Sequence, residues 1–406
     1  MLYNFDKFVD RRGTDSVKWD VAPGELPMWV ADMDFETAPC ILDAVKKRAG
    51  KGIFGYTGVP DSWYDSIINW WKCRHGWEIK KESLIFCTGV VPAVSCLIKR
   101  FTCIGDKVLA LTPVYDIFFH SIENAGRTVC ECPLVYCGAS YSVDFADLEK
   151  KLSDPLTTMM ILCNPHNPIG RIWQRQELEK IGFLCKKYGV TVISDEIHCD
   201  LTMPDCDYVP FASVSEDCAE NSVICLSASK AFNIAGLQSA AVVVNNKIMR
   251  NRAVRGLNSD EIAEPNCFAA IAAEAAFSGG GQWLDELRKY LAENRQFACG
   301  FISKEIPNIK PVLQDATYLM WLDCSALGGD AEKLSGLIRE KTGLYLSAGN
   351  RYRGNGKNFL RMNIACRREM LAEGLEKLKS AVCMLPGKKI TEKSLQVRLI
   401  TLDTER

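Results

Sequence analysis

The chain has 406 residues, 49 Lys+Arg against 50 Asp+Glu for a formal charge of −1, and a composition that is 48% hydrophobic and 24% charged. This balance removes any general electrostatic drive towards nucleic acid or an anionic membrane, and the near-average composition excludes disordered and fibrous classes. Nineteen cysteines stand out, yet the polar opening MLYNFDKFVDRR is no secretion signal and no Cys-x-x-Cys occurs. Most of them read as small buried apolar residues in a reducing cytosol, with no metal site expected. No run of 18 apolar residues exists; the best, Cys267 to Phe277, is 11 long and carries Glu274.

From about Lys80 short apolar, β-branched runs alternate with helix-like stretches. The predicted strands are Ser83–Cys87, Lys107–Leu111, Thr128–Cys132, Thr158–Cys163, Val190–Ser194, Ser222–Leu226 and Ala240–Val244. Between them lie segments such as Gln174–Tyr188, apolar at helical spacing and stopped by Gly189. Strand–helix alternation predicts an α/β fold with a mainly parallel seven-stranded sheet flanked by helices. After Gly279-Gly280-Gly281 the pattern changes: a charged amphipathic stretch, Trp283–Glu305, precedes short strands near Tyr318–Asp323 and Phe359–Ile364. The division expected is a large domain over 46–282, a smaller α+β domain from 1–45 and 283–385, and a tail over 386–406.

Open α/β sheets bind ligands at the carboxyl ends of their strands. Those ends deliver Thr88-Gly89-Val90-Val91, Thr112-Pro113-Val114-Tyr115, Asn164-Pro-His-Asn-Pro-Ile-Gly170, Ser194-Asp-Glu-Ile-His198 and Ser227-Ala-Ser-Lys230. A lysine at a buried strand end can form a Schiff base with an aldehyde, and a neighbouring carboxylate can hold a pyridinium nitrogen protonated. A glycine turn into a helix start, with serine hydroxyls near, cradles phosphate. These are the needs of pyridoxal 5′-phosphate. Motifs for rival chemistries are missing: no G-x-G-x-x-G follows the first strand, Gly349–Gly354 is followed by Asn355 rather than Lys, and no G-x-S-x-G occurs.

The Asn164–Gly170, Ser194–His198 and Ser227–Leu237 motifs, in this order and spacing over roughly residues 1–385, resemble the fold-type I pyridoxal-phosphate enzymes of the class I/II aminotransferase superfamily. Leu26–Phe35, Phe54-Gly-Tyr56 and the histidine at 198 resemble its cystathionine β-lyase branch, some bacterial members of which also modulate the maltose regulon. The resemblance implies that Lys230 carries the cofactor and moves the Cα proton, and that Asp195 pairs with the pyridinium nitrogen. It further implies that Asn167 and His198 meet the ring oxygen and Tyr115 stacks on the ring. Phosphate would fall to the amides of Val90 and Val91, the hydroxyls of Ser227 and Ser229, and Tyr56 reaching across a homodimer. Arg361, with backbone at Val30 and Ala31, would hold the substrate α-carboxylate. Gln238 stands where aminotransferases often place a phosphate-binding arginine. The activity implied is a cytoplasmic carbon–sulfur β-lyase acting on S-substituted cysteines, with no nucleic-acid or membrane partner; an aminotransferase and a regulatory binding protein on the same scaffold are the alternatives.

Overall fold

A computed structural model describes residues 2–385; the tail expected over 386–406 lies outside the described residues. Seven strands form the main sheet: β1 (Leu84–Cys87), β2 (Lys107–Thr112), β3 (Thr128–Pro133), β4 (Thr157–Cys163), β5 (Thr191–Asp195), β6 (Ser222–Leu226) and β7 (Ala240–Val243). Their order is β1-β7-β6-β5-β4-β2-β3. Each predicted strand is present, with ends shifted by a residue or so where the flanking turn claims it; Ser83, for instance, closes a short 3-10 turn.

The strands are apolar on both faces because helices cover both. Alternate side chains of β4 point to opposite layers, with Met159, Ile161 and Cys163 in one core and Met160 and Leu162 in the other. Cys87 and Cys225 join Cys163 on its side, while ten of the nineteen cysteines are buried and all are free thiols. The helix expected over 174–188 runs Arg175–Lys187, opened by a Gln174–Glu177 capping box and followed by Gly189 at φ 68°.

One strand departs from the parallel pattern. β7 is antiparallel to both β1 and β6, because a loop rather than a crossover helix of full length joins β6 to β7. This turns the start of β7 towards the carboxyl ends of its neighbours, with Ala240 opposite Cys87.

Beyond residue 280 an antiparallel sheet is built from β8 (Lys310–Pro311), β9 (Leu319–Asp323), β10 (Ser347–Ala348) and β11 (Phe359–Asn363), in the order β8-β9-β11-β10. The amphipathic stretch becomes a single helix, Gly281–Glu305. It begins one residue after Gly280, where a Cβ would sit 2.4 Å from the Phe232 ring, so only glycine lets this helix start against the loop that follows β6. The N-terminal segment joins this part: Leu26–Pro27 pairs in parallel with Leu344–Tyr345. Among the described residues no helix is long and apolar enough to cross a membrane.

Candidate active site

The ends of β4, β5 and β6 are adjacent in register, Cys163 opposite Asp195 and Asp195 opposite Cys225, so their three terminal turns meet at one point. There a cavity of about 280 Å³ opens, lined by Lys230, Asp195, Asn167, His198 and Tyr115, with the Gly89–Val91 turn along one wall. Gly89 has an extended backbone, and Val90 and Val91 open the helix Val90–Phe101 at the cavity.

Burial governs the electrostatics. Lys230 Nζ donates to the Ala31 carbonyl at 2.6 Å. Its amine is pushed down to about 8, first by burial and then by the Arg361 guanidinium, against Asp32 and Asp195. Asp195 is buried and accepts one hydrogen bond, from the Ile197 amide at 3.1 Å. Taking its charge out of water raises it to about 6. His198 is buried too, Nδ1 has no partner, and burial followed by the Lys230 and Arg361 charges lowers it to about 3, which keeps the imidazole neutral. Burial likewise pushes the Tyr115 hydroxyl up to about 12.

Several expected residues are placed differently from one another. Arg361 is buried on β11 and does not line the cavity itself; Nη1 donates to Asn167 Oδ1 at 3.2 Å and Nη2 to the Trp29 carbonyl at 2.9 Å, leaving Nε without a partner. Ala31 lines the cavity, whereas Val30 sits beside it with its carbonyl taken by Asn363 Nδ2 at 2.6 Å. The Ser227 hydroxyl donates to the Ser239 carbonyl at 2.7 Å and receives the Ser229 amide, so it is already engaged; the Ser229 hydroxyl has no partner among the described residues. Tyr56 is fully exposed and does not line this cavity.

The structure adds residues that strand ends alone do not announce. The antiparallel β7 delivers Gln238 and Ser239 to the wall, and Cys163 lines it as well, its sulfur accepting the Asn167 amide at 3.4 Å. Cys163 is thus more than the apolar strand filler expected from its position. Tyr318 holds the Ala31 carbonyl from the far side at 3.0 Å. Behind the β5 turn, Cys199, His75 and Asp200 cluster within 4.8 Å. Asp200 there already accepts from Trp70 Nε1 at 3.1 Å and shares a hydrogen bond with His75 at 3.0 Å. Arg74 lies beside it, and burial drives the Cys199 thiol well up, so this cluster reads as a support for the turn.

Fold and cavity together define an α/β protein that presents a lysine and a carboxylate at neighbouring strand ends. A family model described as aminotransferase class I and II matches residues 26–378, and the chain belongs to that family. It is 45% identical over 386 residues to cystathionine beta-lyase PatB of Bacillus subtilis strain 168, covering 93% of this chain and 100% of that protein. It is 33% identical over 389 residues to protein MalY of Escherichia coli K12, covering 94% and 99%. The solved structure of cystalysin from Treponema denticola, described as containing a pyridoxal 5′-phosphate cofactor, matches with a TM-score of 0.91 at 32% identity, covering 94% of this chain and 99% of that one.

Proposed function

We propose that this protein is a pyridoxal-phosphate-dependent carbon–sulfur β-lyase that releases a thiol, pyruvate and ammonia from S-substituted L-cysteines. The observation that carries the reading is the pair Lys230 and Asp195 facing one cavity, in a chain that matches cystathionine beta-lyase PatB over that protein's whole length.

The residues present fit the cofactor. A buried carboxylate with one amide bond and a neutral buried imidazole with an unpartnered nitrogen both lack ligands of their own. Lys230 would hold the aldehyde carbon, Asp195 the pyridine nitrogen, Asn167 and His198 the ring oxygen, and Tyr115 the ring face. The amides of Val90 and Val91, with Ser229 and Ser227, would hold the phosphate. Gln238 leaves that cradle without an arginine, and Tyr56, exposed at 105%, is free to complete it in a second copy of the chain. The protein is accordingly read as a cytoplasmic homodimer with its free thiols reduced.

When bound, pyridoxal phosphate supplies an electron sink for the pair left at Cα. Arg361 orients the α-carboxylate together with the backbone amides of Val30 and Ala31, neither of which donates to a protein atom among the described residues. Lys230 Nζ removes the Cα proton, for which its amine has to be uncharged, and burial has already brought it close to neutral pH. The thiolate on Cβ then leaves and takes up a proton, and solvent water hydrolyses the released 2-aminoacrylate to pyruvate and ammonia.

Pyruvate should appear stoichiometrically with free thiol when the protein is mixed with L-cystathionine or another S-substituted cysteine. Amino transfer to 2-oxoglutarate without pyruvate release would instead establish an aminotransferase. Arg361→Lys keeps the charge but loses the planar fork, so KM for the amino acid should rise by about 10- to 100-fold, as expected for a lost charge-assisted pair. An unchanged KM would remove Arg361 from the carboxylate site.

A further inference from the structure

Residues 29–35 form an irregular segment that reaches the cavity at Ala31, and five consecutive carbonyls in it are each held by a side chain. Trp29 is held by Arg361 and Ser347 at 2.9 Å each, Val30 by Asn363 at 2.6 Å, and Ala31 by Lys230 at 2.6 Å and Tyr318 at 3.0 Å. Asp32 is held by Asn363 at 2.6 Å, and Met33 by Asn233 at 3.0 Å and Arg11 at 2.9 Å. Ser347, Tyr318, Arg361 and Asn363 come from the part of the chain that carries the smaller sheet. Asn233 comes from the other side, three residues after Lys230.

Asn233 makes three bonds to the segment. Oδ1 accepts the Met33 amide at 2.9 Å, and Nδ2 donates to the carbonyls of Met33 at 3.0 Å and Phe35 at 2.9 Å. Its backbone is left-handed, φ 57°, a conformation unfavourable for most side chains and tolerated by asparagine. Among the described residues, the other side-chain ties between this segment's neighbourhood and the lysine loop are Lys230 itself on the Ala31 carbonyl and the Thr37 hydroxyl on the Phe232 carbonyl at 2.7 Å.

We propose that Asn233 is a positioning residue, fastening the Met33–Phe35 backbone to the lysine loop so that the Ala31 carbonyl stays against the Lys230 amine. That carbonyl favours the charged amine, so releasing it makes Lys230 easier to deprotonate. The other charged or titratable groups around the amine are Arg361, Asp32, Asp195, the neutral His198, the Tyr318 hydroxyl on the same carbonyl and Tyr115 in the same cavity. Arg361, Asp195 and His198 lie outside the segment that Asn233 fastens, whereas Asp32 lies within it, so its charge would move off together with the carbonyl and add to the same fall. The proposal rests on Lys230 being the cofactor lysine.

The test uses cofactor-free full-length protein mixed with pyridoxal phosphate, following the growth of the yellow band against pH. In the wild type the pH midpoint of the rate of that growth reports the Lys230 amine, because only the uncharged amine attacks the aldehyde. Asn233→Gly keeps the left-handed backbone without strain but removes the amide; its midpoint should fall by about one pH unit, the size of a lost hydrogen bond to a charged group. Asn233→Ala should shift it equally and be less stable. Thr37→Val, which breaks only the neighbouring bond, should leave the midpoint in place. A wild-type midpoint in Asn233→Gly, or an equal shift in Thr37→Val, overturns the positioning role. Undiminished colour in Lys230→Ala would overturn the reading of Lys230 instead, which keeps the two failures distinguishable.

Discussion

Lys230→Ala should reduce pyruvate release by at least about 10⁴-fold, because one substitution removes both the cofactor's covalent attachment and the base that takes the Cα proton. The loss should fall in kcat rather than KM, since the proposed carboxylate site on Arg361 and Ala31 does not include the amine. The variant should also fail to develop the yellow band with cofactor, a readout independent of turnover. The pH dependence has a definite sign. Burial lowers this amine to about 8, so the uncharged, reactive form grows as pH rises through that value, and capture of cofactor by the free protein should accelerate over the same range. A rate that fell with rising pH there would contradict the assignment.

Asp195→Asn should lower kcat by about 10²–10³-fold, the equivalent of roughly 3–4 kcal/mol for a buried charge pair that loses one member. Burial holds this carboxyl at about 6 despite the Ile197 amide and the Lys230 charge, which both pull it down; a pyridinium partner would pull it further down and keep it ionised. The amide is nearly isosteric, so the Ile197 contact and the fold should survive, and the variant should still bind cofactor through Lys230. Asp195→Glu should recover part of the lost rate. Equal rates for Asn and wild type would mean that the carboxylate does not hold a protonated ring nitrogen.

Much of this was legible before any coordinate. The seven strands announce themselves because a sheet covered on both faces demands short, uniformly apolar runs, and Lys230, Asp195 and Asn167 are visible because each stands one to four residues past such a run. Strand ends place neither Gln238, which only the family resemblance brings to the phosphate, nor Ser239 at the cavity, because β7 runs against its neighbours and brings its beginning, not its end, to the site. Asn233 was in view within the Ser227–Leu237 motif, but nothing local indicates that its amide reaches a segment 200 positions away. Tyr56 shows the converse: the sequence suggests a phosphate contact, and within one chain the side chain is simply exposed.

The division follows from the range of the forces. Periodicity, turn chemistry and helix stops act over a few residues, so the sequence alone determined the α/β architecture and the identity of the groups at each strand end. The meeting of Arg361 with Asn167 spans 194 positions, and the Ala31 carbonyl reaches Lys230 across 199. Those contacts exist only once two sheets and the N-terminal segment pack together. Desolvation by that packing moves Lys230 and Asp195 towards neutral pH, so the tertiary structure alone decided their reactivity.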